Sequence, residues 1–440
     1  MLNRWFSLQR HGTTPAREGI AGLTTFAAMA YILAVNPAIL GTTGMDAGAL
    51  VTATALSAAL MTVAMALATN YPIALAPGMG MNAFFAFSIC GAAGVPWQAA
   101  LGLVFYSGVF FFLITITGLR KRLITSIPRE MKLAITAGIG CFIAFIGLQN
   151  GGVIVDSKET LVQLGDFSRP EPLLVLAGVL VTGILLTRRV PGAIMLVMTL
   201  LTVSGFFITG EGGKALTQTP AAWFQWPASL EPSFLKLDLG YFWSHFGSAL
   251  HLVVLLLFLD LFDNMGTLIG VSQRAGLLDR EGNLPRMGRA LMADAGAAMT
   301  GAVLGTSTVT SYIESAAGVE AGGRTGLTTL VTAFCFLLAL FFTPLILIIP
   351  GYATAPALVV VGALMMQGIA DVRMDDFSIA LPAFITILGM PLSYSISEGL
   401  ALGLLAFVGL RIGTGRWREV GAVVYGLSIL FLWHFIWGRT

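Results

Sequence analysis

Apolar runs of about twenty residues recur along almost the whole chain, and a run of that length is what a helix needs to cross a bilayer. Runs at 19–40, 50–69, 72–90, 98–119, 130–149, 172–187 and 192–209 precede a more polar stretch, 210–240. Runs at 241–271, 290–304, 309–321, 326–349, 354–370, 377–391 and 393–410 follow it. Within hydrocarbon every backbone N–H and C=O must be satisfied inside the protein, so segments of this length and composition read as helices. Composition agrees: 56% of the 440 residues are hydrophobic and 10% charged, against about 25% charged in a soluble domain. The expected class is an all-α polytopic membrane protein whose partner is the lipid bilayer. No basic run has the density or aromatic interleaving of a nucleic-acid face. Cys90, Cys141 and Cys335 lie far apart in apolar runs and read as small core residues.

Charge sets an expected orientation. Basic clusters lie at the N-terminus (Arg4, Arg10, Arg17), at Arg120–Arg122 with Arg129 and Lys132, at Arg188–Arg189, from Arg274 to Arg289, at Arg324 and from Arg411 to Arg418. With the N-terminus inside, each falls after an even-numbered span, on the cytoplasmic side, as the positive-inside rule asks. The stretch 211–240 then lies outside. A last apolar run, 419–437, is left over. It reads either as an interfacial helix or as an extra span, and the topology of 418–440 stays open.

Two spans are irregular in matching places. The third holds Pro77-Gly78-Met79-Gly80-Met81-Asn82, and the tenth holds the run GTSTVTSYIES from Gly305 to Ser315. Both are third in their half and poor for a continuous helix. Interrupted segments in corresponding positions of two halves point to a transporter's midplane site. With an odd number of spans per half, the halves are inverted.

The polar residues of the apolar runs are the candidates for function. Asp260, Asp263 and Asn264 stand at i, i+3 and i+4 and share one helix face. A carboxylate in hydrocarbon costs at least about 2.5–3.5 kcal/mol, so its retention suggests use. Two nearby carboxylates in low dielectric titrate as a pair, which suits proton coupling. Glu314 follows a hydroxyl-rich run that includes Ser311, and its carboxylate can accept two hydrogen bonds from a ligand. Asn82 offers an amide donor and acceptor. Gly80 permits close approach of backbone to a flat ligand, and Phe84 offers a ring to stack on. In the first span Thr24, Thr25 and Tyr31 are polar, although helical Thr commonly bonds its own backbone. Asp294, Glu398 and the Asp371–Asp376 cluster read as lying at span ends or beside a break, in solvated or gating roles. Glu320 reads as a structural pair with Arg324. His245 and His251 have no zinc spacing, and no metal or cofactor is expected.

On residues alone, three chemistries compete. A proton-coupled carrier of a neutral, N–H-rich ligand uses the acids directly. An anion carrier of the same architecture needs a basic residue at the site. A Mg-dependent intramembrane enzyme built on Asp260-x-x-Asp263 needs a second acidic motif with diphosphate-binding cations, and neither is present.

At these residues the chain resembles the nucleobase–cation symporter family of the nucleobase/ascorbate type, specifically its AzgA-like purine permease branch. The resemblance is carried by Gly22–Phe26 with Met29–Ile32 and Asn36-Pro37, by Ala74–Ala86, by Asp260–Val271 and by Gly305–Gly326, in order over nearly the whole chain. It implies a seven-plus-seven inverted repeat with a core domain (19–119 and 241–349) and a gate domain (130–210 and 354–411). Helices three and ten would be half extended. Glu314 would hydrogen-bond the base, Asp260 and Asp263 would be the eighth-helix acids, and Asn82 the third-helix polar residue. The function implied is proton symport of adenine, hypoxanthine or guanine by elevator-like alternating access in the plasma membrane. A homodimer through the gate domain is also implied, with the proton as coupling ion and no cofactor. The third-span pattern looks closer to members that take adenine or all three purines. Two departures are Asn264, where Thr or Ser is common, and the apolar 419–437 tail.

Overall fold

The computed structural model describes residues 5–117, 128–210, 213–220, 222–279 and 284–437. Arg4, Arg120–Arg122 and Arg280 of the basic clusters lie outside the described residues, as do 118–119, 211–212, 221 and 438–440 of the expected segments.

The first half comprises α1 (Pro15–Met29), α2 (Ile32–Leu40), α3 (Ala47–Thr69), β1 (Leu75–Pro77), α4 (Met79–Ala83, widening into a π-helical stretch Phe84–Ala92), α5 (Trp97–Thr117), α6 (Arg129–Asn150), a hairpin β2 (Ile154–Ser157) and β3 (Leu161–Leu164), α7 (Pro170–Thr187) and α8 (Ala193–Ser204). The second comprises α9 (Phe246–Arg274), α10 (Met287–Leu304), β4 (Val309–Ser311), α11 (Ser315–Glu320), α12 (Gly326–Ala339, continued by Thr343–Leu347), α13 (Gly351–Met365), α14 (Phe377–Ser393), α15 (Ile396–Gly413) and α16 (Ala422–Trp437). Among the described residues nine helices are long and apolar enough to cross a membrane, with α1 and α2 counted together as one span; shorter apolar helices lie at Met79–Ala92, Ala193–Ser204, Phe377–Ser393 and Ala422–Trp433. Local signals start several helices. Thr14 caps α1 with Pro15 at its first position, Asp46 caps α3, Thr325 caps α12, and Ser395 caps α15.

The helices sort into two packed groups. In one, α10 lies against α3 and α5, and α12 lies against α1 and α3. In the other, α13 and α14 pack on α6, with α7 and α8 alongside α13. Small residues let α6 and α13 approach closely: a Cβ on Gly140 would meet the Gly362 carbonyl oxygen at 2.5 Å. The two groups touch where Gly80 faces Ile139 and where Phe87 meets Phe142 and Tyr394 edge-on.

The two halves cross at β1 and β4. They pair antiparallel with Leu75 opposite Ser311, Ala76 opposite Thr310 and Pro77 opposite Val309. This three-residue ladder is enclosed on all sides. Pro77 cannot donate to a ladder, and here its carbonyl accepts from the Tyr312 hydroxyl at 2.6 Å instead.

Three expectations are corrected. The first span is not one helix over 19–40: it begins at Pro15 and is interrupted between α1 and α2 at Ala30–Tyr31. Asp294 is not at a span end, because α10 starts at Met287; the carboxyl is fully buried two turns in and accepts from Thr310 Oγ1 at 3.3 Å and Ser311 Oγ at 3.5 Å. Glu320 pairs with Arg274 at 3.1 Å rather than with Arg324. The Arg324 guanidinium turns back onto the Val319 and Gly323 carbonyls, since it sits on the turn that ends α11.

The leftover run forms α16. Its inner face (Val424, Leu427, Ser428, Phe431) is buried, while its outer face carries Ile429, Leu432 and Ile436. Leu427 closes a crevice with Leu255, Phe258 and Leu259 of α9 and with Leu400 and Leu404 of α15. Further along, Trp433 lies over Gly247 at the start of α9, so α16 runs antiparallel to α9.

Candidate functional site

The crossing strands bring residues from four spans together. Glu314 sits on the turn between β4 and α11. The Tyr31 hydroxyl, at the interruption of the first span, donates to Glu314 Oε1 at 2.5 Å. Asp263 of α9 lies close enough to Glu314 for the two charges to act on one another, and Tyr312 lies within the same field. Asn82, from the first turn of α4, accepts from the Ser307 hydroxyl through Oδ1 in a short hydrogen bond. Hydrogen bonds just beyond the two-stranded ladder extend the frame: Gly78 N–H donates to the Thr308 carbonyl at 3.0 Å, and Tyr312 N–H to the Ala74 carbonyl at 2.9 Å. A Cβ on Gly78 would meet Thr310 Cγ2 at 2.8 Å, so glycine is what allows the two spans to touch there.

Several buried polar atoms around this crossing have no hydrogen-bond partner among the described residues. They are Asn82 Nδ2, Thr25 Oγ1, Thr308 Oγ1 and both amide atoms of Asn264. Leaving such a group unsatisfied costs about 1–3 kcal/mol, so each has hydrogen-bonding capacity open to a polar ligand or ordered water.

A family model described as a permease family matches residues 17–402. The chain belongs to this permease family, the nucleobase/ascorbate transporters. The permease is 42% identical to the adenine permease AdeQ of Escherichia coli over 98% of its own length and 95% of that protein. It is 43% identical to the guanine/hypoxanthine permease PbuG of Bacillus subtilis over 99% of both. Among solved structures, the transmembrane domain of the cyanobacterial bicarbonate transporter BicA superposes with a TM-score of 0.65 at 18% identity, covering 88% of this chain and 97% of that one. That likeness shows the fold, a seven-plus-seven inverted repeat. The permease is an integral multi-pass membrane protein and a transporter rather than an enzyme.

The residues singled out in the permease's sequence are not all equivalent in space. Glu314, Asp263 and Tyr31 come together. Asp260, one turn earlier on α9, is enclosed at 1% exposure, whereas Asp263 is half-buried. Ser311 is engaged with Asp294. Thr25 packs against α11, where a Cβ on Gly318 would lie 1.9 Å from its hydroxyl. Gly80 faces Ile139 of the other helix group. Phe84 is wholly enclosed in the apolar core, and Phe87 is the ring of that segment that meets the opposite group.

Two participants carry no clear sequence signal. Tyr31 is separated from Glu314 by 283 residues. Glu18 looks like a first-turn acid of α1 but is fully buried. It accepts from the Arg324 and Thr325 amides, the Thr325 hydroxyl, and the Thr328 amide and hydroxyl. It thereby anchors the start of α12 and the end of the broken tenth span to α1.

Proposed function

We propose that this permease imports purine nucleobases (adenine, hypoxanthine or guanine) together with protons. The observation that carries the reading is Glu314, held by the Tyr31 hydroxyl at the crossing of two broken spans, with Asp263 of α9 within electrostatic reach. A purine is flat and neutral and edged with donors and acceptors. Glu314 would accept from its N–H edge, and Asn82 and Asn264 would offer amide atoms. A site built to hydrogen-bond such an edge rejects ligands that leave its groups unpaired. Asp263 and Glu314 would titrate as a pair and take up the coupling proton, with Asp260 behind them on the same helix. The names of AdeQ and PbuG support the substrate class.

An anion carrier is the competing reading, because this fold also serves a bicarbonate transporter. It is disfavoured by charge. Among the described residues the charged side chains at the crossing are acids, and the buried arginine, Arg411, is paired with Glu419 at 2.5 Å away from it.

The remaining parts follow the same reading. The group containing α1, α3, α5, α10 and α12 would act as the core that carries substrate. The group containing α6, α7, α8, α13, α14 and α15 would act as the gate and dimer surface, with elevator-like motion at their contact. The ion pairs Arg129–Asp371, Arg373–Glu130, Arg274–Glu320 and Arg416–Asp376 would lie on the cytoplasmic side of the plasma membrane with the N-terminus. In that orientation α16 carries the C-terminus outward. Uptake of radiolabelled adenine and hypoxanthine by cells lacking their own purine carriers tests the function; Glu314→Ala at normal surface expression should abolish it, and normal uptake by that variant would refute the binding role.

A further inference from the structure

The interruption of the first span has no local cause in its sequence. Neither Ala30 nor Tyr31 is proline or glycine, and Pro37 lies further on, inside α2. Kinks in helices ordinarily have a proline, a glycine, a π-bulge or an inserted group behind them. Here the backbone tightens on either side of Tyr31: Leu33 N–H donates to the Ala30 carbonyl at 3.1 Å, while Ala34 and Val35 both donate to the Tyr31 carbonyl, at 3.1 and 3.0 Å. The long-range polar contact made at this point is the Tyr31 hydroxyl on Glu314. The ring is 1% exposed, so its hydroxyl is held by the surrounding packing rather than by chance of rotamer.

A carboxylate has two oxygens and accepts in its own plane. A hydrogen bond of 2.5 Å to Oε1 fixes that plane and leaves the acceptor capacity of Oε2 for a ligand. Glu314 makes no helix-cap bond and sits on a turn; besides a local bond to its own backbone, its carboxylate is held by the Tyr31 hydroxyl from another span. We propose that Tyr31 is a positioning residue for Glu314: its hydroxyl holds the carboxylate in the single orientation that meets the N–H edge of the transported base. This rests on the reading of Glu314 as the ligand-binding carboxylate. It makes the first span a working part of a site otherwise built from spans three, eight and ten.

The test is equilibrium binding of adenine and of hypoxanthine to the purified full-length protein. Four forms are compared: wild type, Tyr31→Phe, Glu314→Asp and the double variant. Tyr31→Phe keeps the ring and removes only the hydroxyl. Loss of a charge-assisted hydrogen bond corresponds to a fall in affinity of about ten-fold or more. The shorter Asp at 314 withdraws from the hydroxyl, so Tyr31→Phe in that background should cost less than about two-fold, the non-additivity expected of residues acting through one contact. Tyr312→Phe is the control, because that hydroxyl serves the Pro77 carbonyl; its effect should be the same with Glu or Asp at 314. Unchanged affinity in Tyr31→Phe, or an equal loss in both backgrounds, overturns the proposal. Wild-type protein that binds neither purine would instead overturn the substrate reading on which it rests.

Discussion

The Tyr31 hydroxyl lies 2.5 Å from Glu314 Oε1, joining the interruption of the first span to the turn in the tenth. Around that bond the permease assembles Asp263, Tyr312 and the crossing strands β1 and β4, so a polar centre is enclosed where the two halves meet. An acid that hydrocarbon would exclude is thereby hydrogen-bonded to a neighbour from another span.

Asp263→Asn should change coupling more than recognition. Removing one member of the Asp263–Glu314 pair leaves Glu314 to titrate alone, so the dependence of purine uptake on external pH should flatten while competition among purines is kept. Initial uptake rates between pH 5 and 8 check this; an unchanged pH profile would remove Asp263 from proton coupling.

Asp260→Asn probes the enclosed acid one turn away. If Asp260 supports the site as well as the fold, uptake should fall by at least about ten-fold at normal surface expression, the scale of a lost charged hydrogen bond. Wild-type rate with wild-type pH dependence would assign it neither role.

Glu18→Ala should destabilise without touching the substrate. The carboxylate accepts from two backbone amides and two hydroxyls at the start of α12, and from the Arg324 amide. Losing it leaves buried donors unpaired, at a cost of about 2–4 kcal/mol. Thermal unfolding of the detergent-solubilised protein should show a clear drop in midpoint; an unchanged midpoint would mean water replaces the carboxylate.

Gly140→Leu should wedge apart α6 and α13. A Cβ there already meets the Gly362 carbonyl oxygen at 2.5 Å and Met365 Cβ at 2.8 Å. Overpacking of this kind costs about 1–3 kcal/mol. The expected readout is lower thermal stability with an intact purine dissociation constant, since neither glycine lies at the crossing.

Much of this architecture can be read from the chain because hydrocarbon imposes a simple code. Span length, basic loops and the two irregular segments at Pro77–Asn82 and Gly305–Ser315 all register in composition. What does not register is rotation and distant partnership. Asp260 and Asp263 share a helix face, and spacing alone cannot say which of them turns toward Glu314; packing of α9 against β4 and α11 settles that. Tyr31 stands out in the sequence only as a polar residue of the first span, and its partner Glu314 shows only when the tenth span is laid beside it. Glu18 imitates a helix-dipole acid because its real partners, Thr325 and Thr328, lie some three hundred residues away. Asp294 reads as a span-end residue because Met287–Arg289 looks like loop, whereas the helix already begins there.

The most direct test of the central claim is uptake of radiolabelled adenine by cells lacking their own purine carriers, with and without a protonophore, in competition with hypoxanthine and guanine. The account expects saturable uptake that depends on this chain, is competed by at least one other purine and collapses with the proton gradient. Absence of purine uptake from a correctly inserted protein, or uptake indifferent to the protonophore, would contradict it.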